Sequence, residues 1–167
     1  MTDIVKKFEV KPGDRGVRVA LHQYSSYHKQ KKEFGLDAHD TTDGVVGAIN
    51  QIQWLTGDTH TARALTQVRD NIIRPAHRAN PDRASIIIVI TDGDPQDYKK
   101  VPAAVESLKE FGTKIFAIGV GDATRPELDK LAWVGDKSND KAVFYADRYD
   151  GALAFQNEIV QTICKNN

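Results

Sequence analysis

Apolar positions along this chain alternate between a period near four and a period of two, and the changes of period mark its elements. From Thr2 to Phe8, Ile4, Val5 and Phe8 share one helical face, and Lys11-Pro12-Gly13-Asp14 ends the segment. Val17, Val19 and Leu21 then alternate with Arg18, Ala20 and His22, which predicts a strand. His28 to Leu36 reads as a short, charged edge strand returning after a Ser25-Ser26-Tyr27 turn. Thr42 is expected to cap a helix that carries Val45, Ile49 and Ile52 toward Trp54. A polar loop, Leu55 to Thr61, precedes a second helix that buries Ala64, Leu65, Val68 and Ile72, with Pro75 placed just past its end.

The second half repeats the alternation. Ile86 to Ile90 is a continuous β-branched run, the pattern of a parallel strand covered on both faces. Pro102 opens a helix with Val101, Ala104, Val105 and Leu108 inside and Gly112 at its C′ position. Lys114 to Val120 is another buried strand, and Thr124-Arg125-Pro126-Glu127 reads as a capping box ahead of a short helix around Leu128 and Leu131. Ala142 to Ala146 predicts a last strand, and Ala152, Phe155, Ile159 and Ile163 a final helix. Strands alternating with helices imply an α/β, doubly wound, three-layer (Rossmann-like) sandwich, with a mostly parallel sheet and one antiparallel edge strand. One domain is expected over residues 1–167.

Composition narrows the function classes. Lys plus Arg and Asp plus Glu both number 23, so the formal net charge is zero and no global field draws the chain to nucleic acid or an anionic membrane. The small basic run of Lys29, Lys31 and Lys32 suits a solvated strand edge. Ile86–Ile90 is the longest apolar stretch, far short of the roughly 20 residues that span a bilayer, so no membrane insertion is expected. Met1 to Lys7 is amphipathic and charged, unlike a signal peptide, which leaves the compartment open. Cys164 is the single cysteine and has no internal disulfide partner.

In sheets of this kind, functional groups gather beyond the carboxyl ends of the strands. Two loops lie there. Thr91-Asp92-Gly93-Asp94-Pro95 places a carboxylate directly after the buried run, with Gly93 allowing a sharp turn. Gly57-Asp58-Thr59-His60-Thr61 opens a helix. Carboxylate and hydroxyl oxygens with room for water suit a hard divalent cation, Mg²⁺ or Mn²⁺. The same residues also suit structural work, Asp92 as a turn cap and Thr59 or Thr61 as a helix cap. His22, His28, His39, His60 and His77 show no zinc-ligand spacing. Gly119-Val120-Gly121-Asp122 lacks the third glycine of a dinucleotide fingerprint.

Val17 to Ser25, Gly57 to Leu65, Ile88 to Gly93, Ile115 to Gly121 and Val143 to Tyr145 follow one another in an order that resembles the von Willebrand factor A domain, most closely the kind found in collagen-associated and other matrix proteins. The resemblance implies a non-catalytic, secreted adhesion module of the extracellular matrix that binds collagen or another matrix protein. It further implies a metal-ion-dependent adhesion site in which Thr59 and Asp92 join an Asp-x-Ser-x-Ser loop around one Mg²⁺, with a partner's carboxylate completing the shell. Asp58, His60, Asp94 and Tyr27 are expected to frame that face and contact the ligand. The 167 residues contain no Asp-x-Ser-x-Ser, so the resemblance implies weak or absent cation binding by this chain. In the family that motif follows a central strand placed ahead of the first helix here. Its neighbours are therefore expected to expose unpaired backbone, and the strand to belong to a longer chain or to a partner segment. Family members often pair a cysteine like Cys164 with one before that strand. An intracellular scaffold of the same family with a degenerate metal site is the main alternative. Asp92-Gly93-Asp94 also resembles the Asp-x-Asp of haloacid dehalogenase-type phosphatases, but no later acidic pair supports that chemistry.

Overall fold

The computed structural model describes residues 1–13, 16–135, 142–146, 157, 160 and 161. Ala152, Phe155, Ile159 and Ile163, which mark the expected final helix, and Cys164 lie outside the described residues. The fold is mixed α/β, as the alternation predicts. Strand β3 (Ile86–Thr91) pairs in parallel with β4 (Lys114–Val120), and β4 in parallel with β5 (Val143–Ala146). Strands β1 (Leu21–Tyr24) and β2 (Gln30–Phe34) form a separate antiparallel pair. Among the described residues the expected single sheet is thus two, β1 pairing only with β2 and β3 only with β4.

Each sheet has its own core. Around β3, β4 and β5, Phe116, Ile115, Leu108 and Val101 are wholly buried, and Ala62, Leu65, Ile73, Leu128 and Leu131 join them. Around β1 and β2, Val10, Phe34 and Val45 form a smaller cluster with Val5, Val19, Leu21 and Ile49 against it. Helix α1 (Thr2–Val5) bridges them, since Ile4 packs on the larger cluster and Val5 on the smaller. Only these four residues are helical where the apolar spacing predicted a helix to Phe8, and Val17 makes one isolated parallel bridge to Val10 before β1 begins at Leu21.

Capping differs from expectation in ways that position the loops. Thr41, not Thr42, caps helix α2 (Thr42–Asn50), its hydroxyl accepting from Gly44 N–H at 3.1 Å. Thr42 instead donates to the Phe8 carbonyl and accepts from Val10 N–H, tying α2 to the preceding segment. The helix expected to stop before Pro75 runs on as α3 (Thr61–Val68), a π-type turn (Arg69–Ile73) and α4 (Arg74–Ala79). Proline offers no N–H, and the wider turn, with Arg74 N–H bonding the Arg69 carbonyl, carries the chain past it. Helix α5 (Val101–Lys109) buries Val101, Ala104, Val105 and Leu108 as expected. Helix α6 (Arg125–Leu131) has Thr124 at its N-cap, but that side chain makes no cap bond because it is held by Asp94 instead.

Candidate functional site

The loops after β1, after β3 and before α3 converge at one rim. Thr91, the last residue of β3, donates its hydroxyl to the Gly93 carbonyl at 2.9 Å and closes the turn that presents Asp92 to solvent. The next loop is tied to the α3 loop twice. Gln96 N–H bonds the Thr59 carbonyl at 2.7 Å, and the Asp97 carboxylate accepts from Ala62 N–H at 3.1 Å and Arg63 N–H at 2.9 Å. Asp97 is therefore the N-terminal cap of α3, supplied from a distant loop in place of His60, which makes no cap bond. A Cβ built on Gly93 would stand 3.9 Å from Thr59 Oγ1, so the Thr59 hydroxyl lies beside the turn that carries Asp92.

From the β1 side, Ser26 Oγ accepts from Asp58 N–H at 3.1 Å, and the Ser25 carbonyl accepts from His60 N–H at 3.0 Å. The Gln23 amide accepts from Leu55 N–H at 2.8 Å and donates to the Gln53 carbonyl at 2.9 Å. Trp54 is thereby held between two fixed points with its side chain outward, 81% exposed. Tyr27 is also exposed, its ring edge-on to His28 and His60, with the Arg63 guanidinium 5.0 Å from its centre.

The structure thus brings Tyr27, Asp58, Thr59 and His60 to one rim with the Asp92 turn. Asp94 stands on the same rim with its carboxylate on Thr124, bonding both N–H at 3.0 Å and Oγ1 at 2.9 Å. Sequence reasoning missed Asp97, Ser25, Ser26 and Trp54. No local pattern marks Asp97 as the cap of a helix 35 residues away. The apolar spacing carried the second helix toward Trp54, but α2 ends at Asn50 and leaves Trp54 in the loop that follows.

Beneath the rim, several buried polar atoms have no hydrogen-bond partner: Tyr24 Oη, Ser25 Oγ, His60 Nδ1 and Thr61 Oγ1. The Thr91 and Thr61 hydroxyls face the Tyr24 phenol without reaching bonding geometry, and burial pushes its pKa up, with the nearby Asp92 and Asp97 charges adding to the rise. Tyr24 therefore stays a neutral donor. Asp92 and Thr59 offer one carboxylate and one hydroxyl, and among the described residues no group of three or more His, Cys, Asp or Glu could hold a metal ion.

The Asp97 cap yields a direct test. Asp97→Ala leaves two α3 amides without their acceptor and should lower stability by about 1–2 kcal/mol. Asp97→Asn, which keeps one acceptor oxygen, should lose roughly half as much by thermal or urea denaturation. Equal stability of wild type and Asp97→Ala would mean that solvent caps α3.

Comparison with known proteins agrees with this architecture. Human vitrin is 28% identical over 164 residues, covering 98% of this chain and 22% of vitrin. The mouse collagen alpha-4(VI) chain is 32% identical over 166 residues, covering 99% of this chain and 6% of the collagen. The chain thus spans less than a quarter of either relative. A solved structure of proximal thread matrix protein 1 from the mussel byssus, with a zinc-occupied MIDAS motif, superposes with a TM-score of 0.83 at 25% identity, covering 98% of this chain and 39% of that one. The family model for the von Willebrand factor type A domain matches residues 1–158, and the chain belongs to that family.

Proposed function

We propose that this chain is a non-catalytic, secreted binding module of the extracellular matrix, engaging collagen or another matrix protein through the rim described above. The observation that carries the reading is the rim's construction. Exposed Tyr27 stands against His60 on the loop that adjoins the Asp92 turn, and exposed Trp54 stands on the loop that Gln23 ties to β1. Aromatic side chains held rigid in solvent lose little entropy on binding and anchor many interfaces. Similarity to vitrin and collagen domains supports a matrix partner. Thr59 and Asp92 would offer one hydroxyl and one carboxylate to Mg²⁺ or Mn²⁺, with further donors coming from outside this chain. Asp58, His60 and Asp94 would border the ligand.

Solid-phase binding to collagen-coated surfaces, with and without EDTA, tests this reading. Tyr27→Ala should weaken binding by about tenfold or more, as expected for an aromatic anchor, while leaving the melting temperature within a few degrees. Titration of Mg²⁺ or Mn²⁺ into the chain alone should give no saturable heat. Undiminished binding by the Tyr27 and Trp54 alanine variants would sink the rim as the contact face.

A further inference from the structure

The tripeptide Thr-Asp-Gly occurs at Thr42-Asp43-Gly44 and again at Thr91-Asp92-Gly93. An aspartate followed by glycine can react with its own backbone, because no Cβ on the next residue obstructs the side-chain carboxyl as it folds back over the following nitrogen. Both aspartates are exposed. Neither exposure nor the three-residue sequence separates the two sites, so a difference between them has to come from structure. A further aspartate–glycine pair, Asp150-Gly151, lies outside the described residues.

Asp43 and Gly44 belong to the first turn of α2. Gly44 N–H bonds Thr41 Oγ1 at 3.1 Å, and Val45 N–H bonds the Thr41 carbonyl at 3.2 Å. A Cβ built on Gly44 would meet Thr41 Oγ1 at 3.1 Å and the His39 Cβ at 3.6 Å, so the flank of the nitrogen is crowded. Ring closure there would turn the Asp43 ψ out of the helical range of about −42° and cost the turn its bonds. Asp92 and Gly93 lie past the end of β3, outside helix and ladder. Gly93 N–H stands 3.4 Å from Thr91 Oγ1, longer than the roughly 2.7–3.2 Å of a good bond. Among the described residues, a Cβ on Gly93 would meet Thr59 Oγ1 alone within 4 Å, at 3.9 Å. The second site therefore holds its nitrogen loosely and leaves it room.

We propose that Asp92-Gly93 is a self-modifying site, where the main chain converts to an isoaspartyl linkage. The Gly93 amide nitrogen gives up its proton and attacks Cγ of Asp92. A C–N bond forms, and a carboxyl oxygen leaves as water. The resulting five-membered imide reopens when water adds to either carbonyl. Breaking the new bond to Cγ restores aspartate, whereas breaking the original peptide bond leaves Gly93 joined to Asp92 through Cγ. Water lost equals water gained, and nothing is oxidised or reduced, so the mass is unchanged. The main chain is then longer by the Asp92 methylene, and the carboxylate sits directly on Cα. The longer link draws the Gly93 carbonyl off the Thr91 hydroxyl that holds it at 2.9 Å and reshapes the turn beside Thr59. The effect on binding rests on the rim reading, but the chemistry does not.

Ageing the full chain in warm neutral buffer, then peptide mapping with electron-transfer fragmentation against a fresh control, tests the proposal. Trypsin places Asp92 in Ala84–Lys99, Asp43 in Glu33–Arg63 and Asp150 in Tyr149–Lys165, so each site is read separately. Isoaspartate should accumulate several-fold faster at Asp92 than at Asp43 in the folded chain. In urea, where only the shared tripeptide acts, the two rates should converge. Gly93→Ala, whose added carbon has room, should slow the change at Asp92 several-fold. Three outcomes overturn the proposal: no isoaspartate at Asp92 in the folded chain, equal rates at Asp43 and Asp92 there, or a Gly93→Ala rate equal to wild type. Isoaspartate at Asp92 with undiminished collagen binding upholds the modification and counts against the rim reading instead.

Discussion

Truncation of Phe116 to alanine should lower the unfolding free energy by about 3–5 kcal/mol, as large-to-small changes do in packed cores. Domains of this size are stable by roughly 5–15 kcal/mol, so the variant will sit near the edge of folding. Phe116 is wholly buried because β4 has a strand on each side and α6 packed on it. Its ring cannot be replaced by water, and the surrounding strands cannot collapse into the space. Ile88 lies in register with Phe116 on β3 and is just as apolar. Being half-buried beside an open edge, it should lose only about 1–2 kcal/mol as Ile88→Ala, less than a closed site would give. Urea denaturation of both variants, with unchanged m-values, measures the contrast. Equal losses would show that something covers β3 in solution on its unpaired side.

That contrast also explains which parts of the fold were legible in the sequence. The apolar run at Ile86–Ile90 reads as a strand covered on both sides, and its period contains no sign that β3 pairs along one edge only among the described residues. Strands and helices with strong periods, such as Lys114–Val120 and Val101–Lys109, appear where expected, since burial alone sets their pattern. Caps were less legible. Thr41 and Thr42 are adjacent hydroxyls, and only the packing of Phe8 and Val10 decides which one caps and which one bridges. Thr124-Arg125-Pro126-Glu127 has a capping-box spelling, yet Asp94, 30 residues away, takes the threonine. At the rim, Thr59 and Asp92 could be named from their loops. Asp97 and the serines could not, because their roles arise only when loops distant in sequence meet.

Gly57 is where local backbone geometry and the rim depend on each other most directly. Gly57→Ala should cost about 2–5 kcal/mol and also abolish rim binding. Gly57 has φ +135°, a conformation in which a side chain costs roughly 1–2 kcal/mol. A second penalty comes from space. A Cβ there would stand 2.4 Å from Ser26 Oγ and 2.7 Å from Ser25 Oγ, closer than real contacts allow. Forcing it in costs about 1–3 kcal/mol more. Ser26 cannot simply rotate away, because its hydroxyl holds Asp58 N–H. The strain therefore moves the loop, and Thr59 lies two residues on. Gly112→Ala is the control. Gly112 has φ +64°, in the left-handed region, with nothing within 4 Å of the added carbon, so it carries a backbone penalty with no crowding. Denaturation of the two variants separates the effects, and Ser25→Ala with Ser26→Ala in the Gly57→Ala background should recover part of the difference. If Gly57→Ala and Gly112→Ala lose the same stability, the serines yield freely and the loop is not held against them. If they differ and the serine-to-alanine changes recover part of the difference, the fit of one glycine against two serines helps the Gln96 bond to keep Thr59 beside the Asp92 turn.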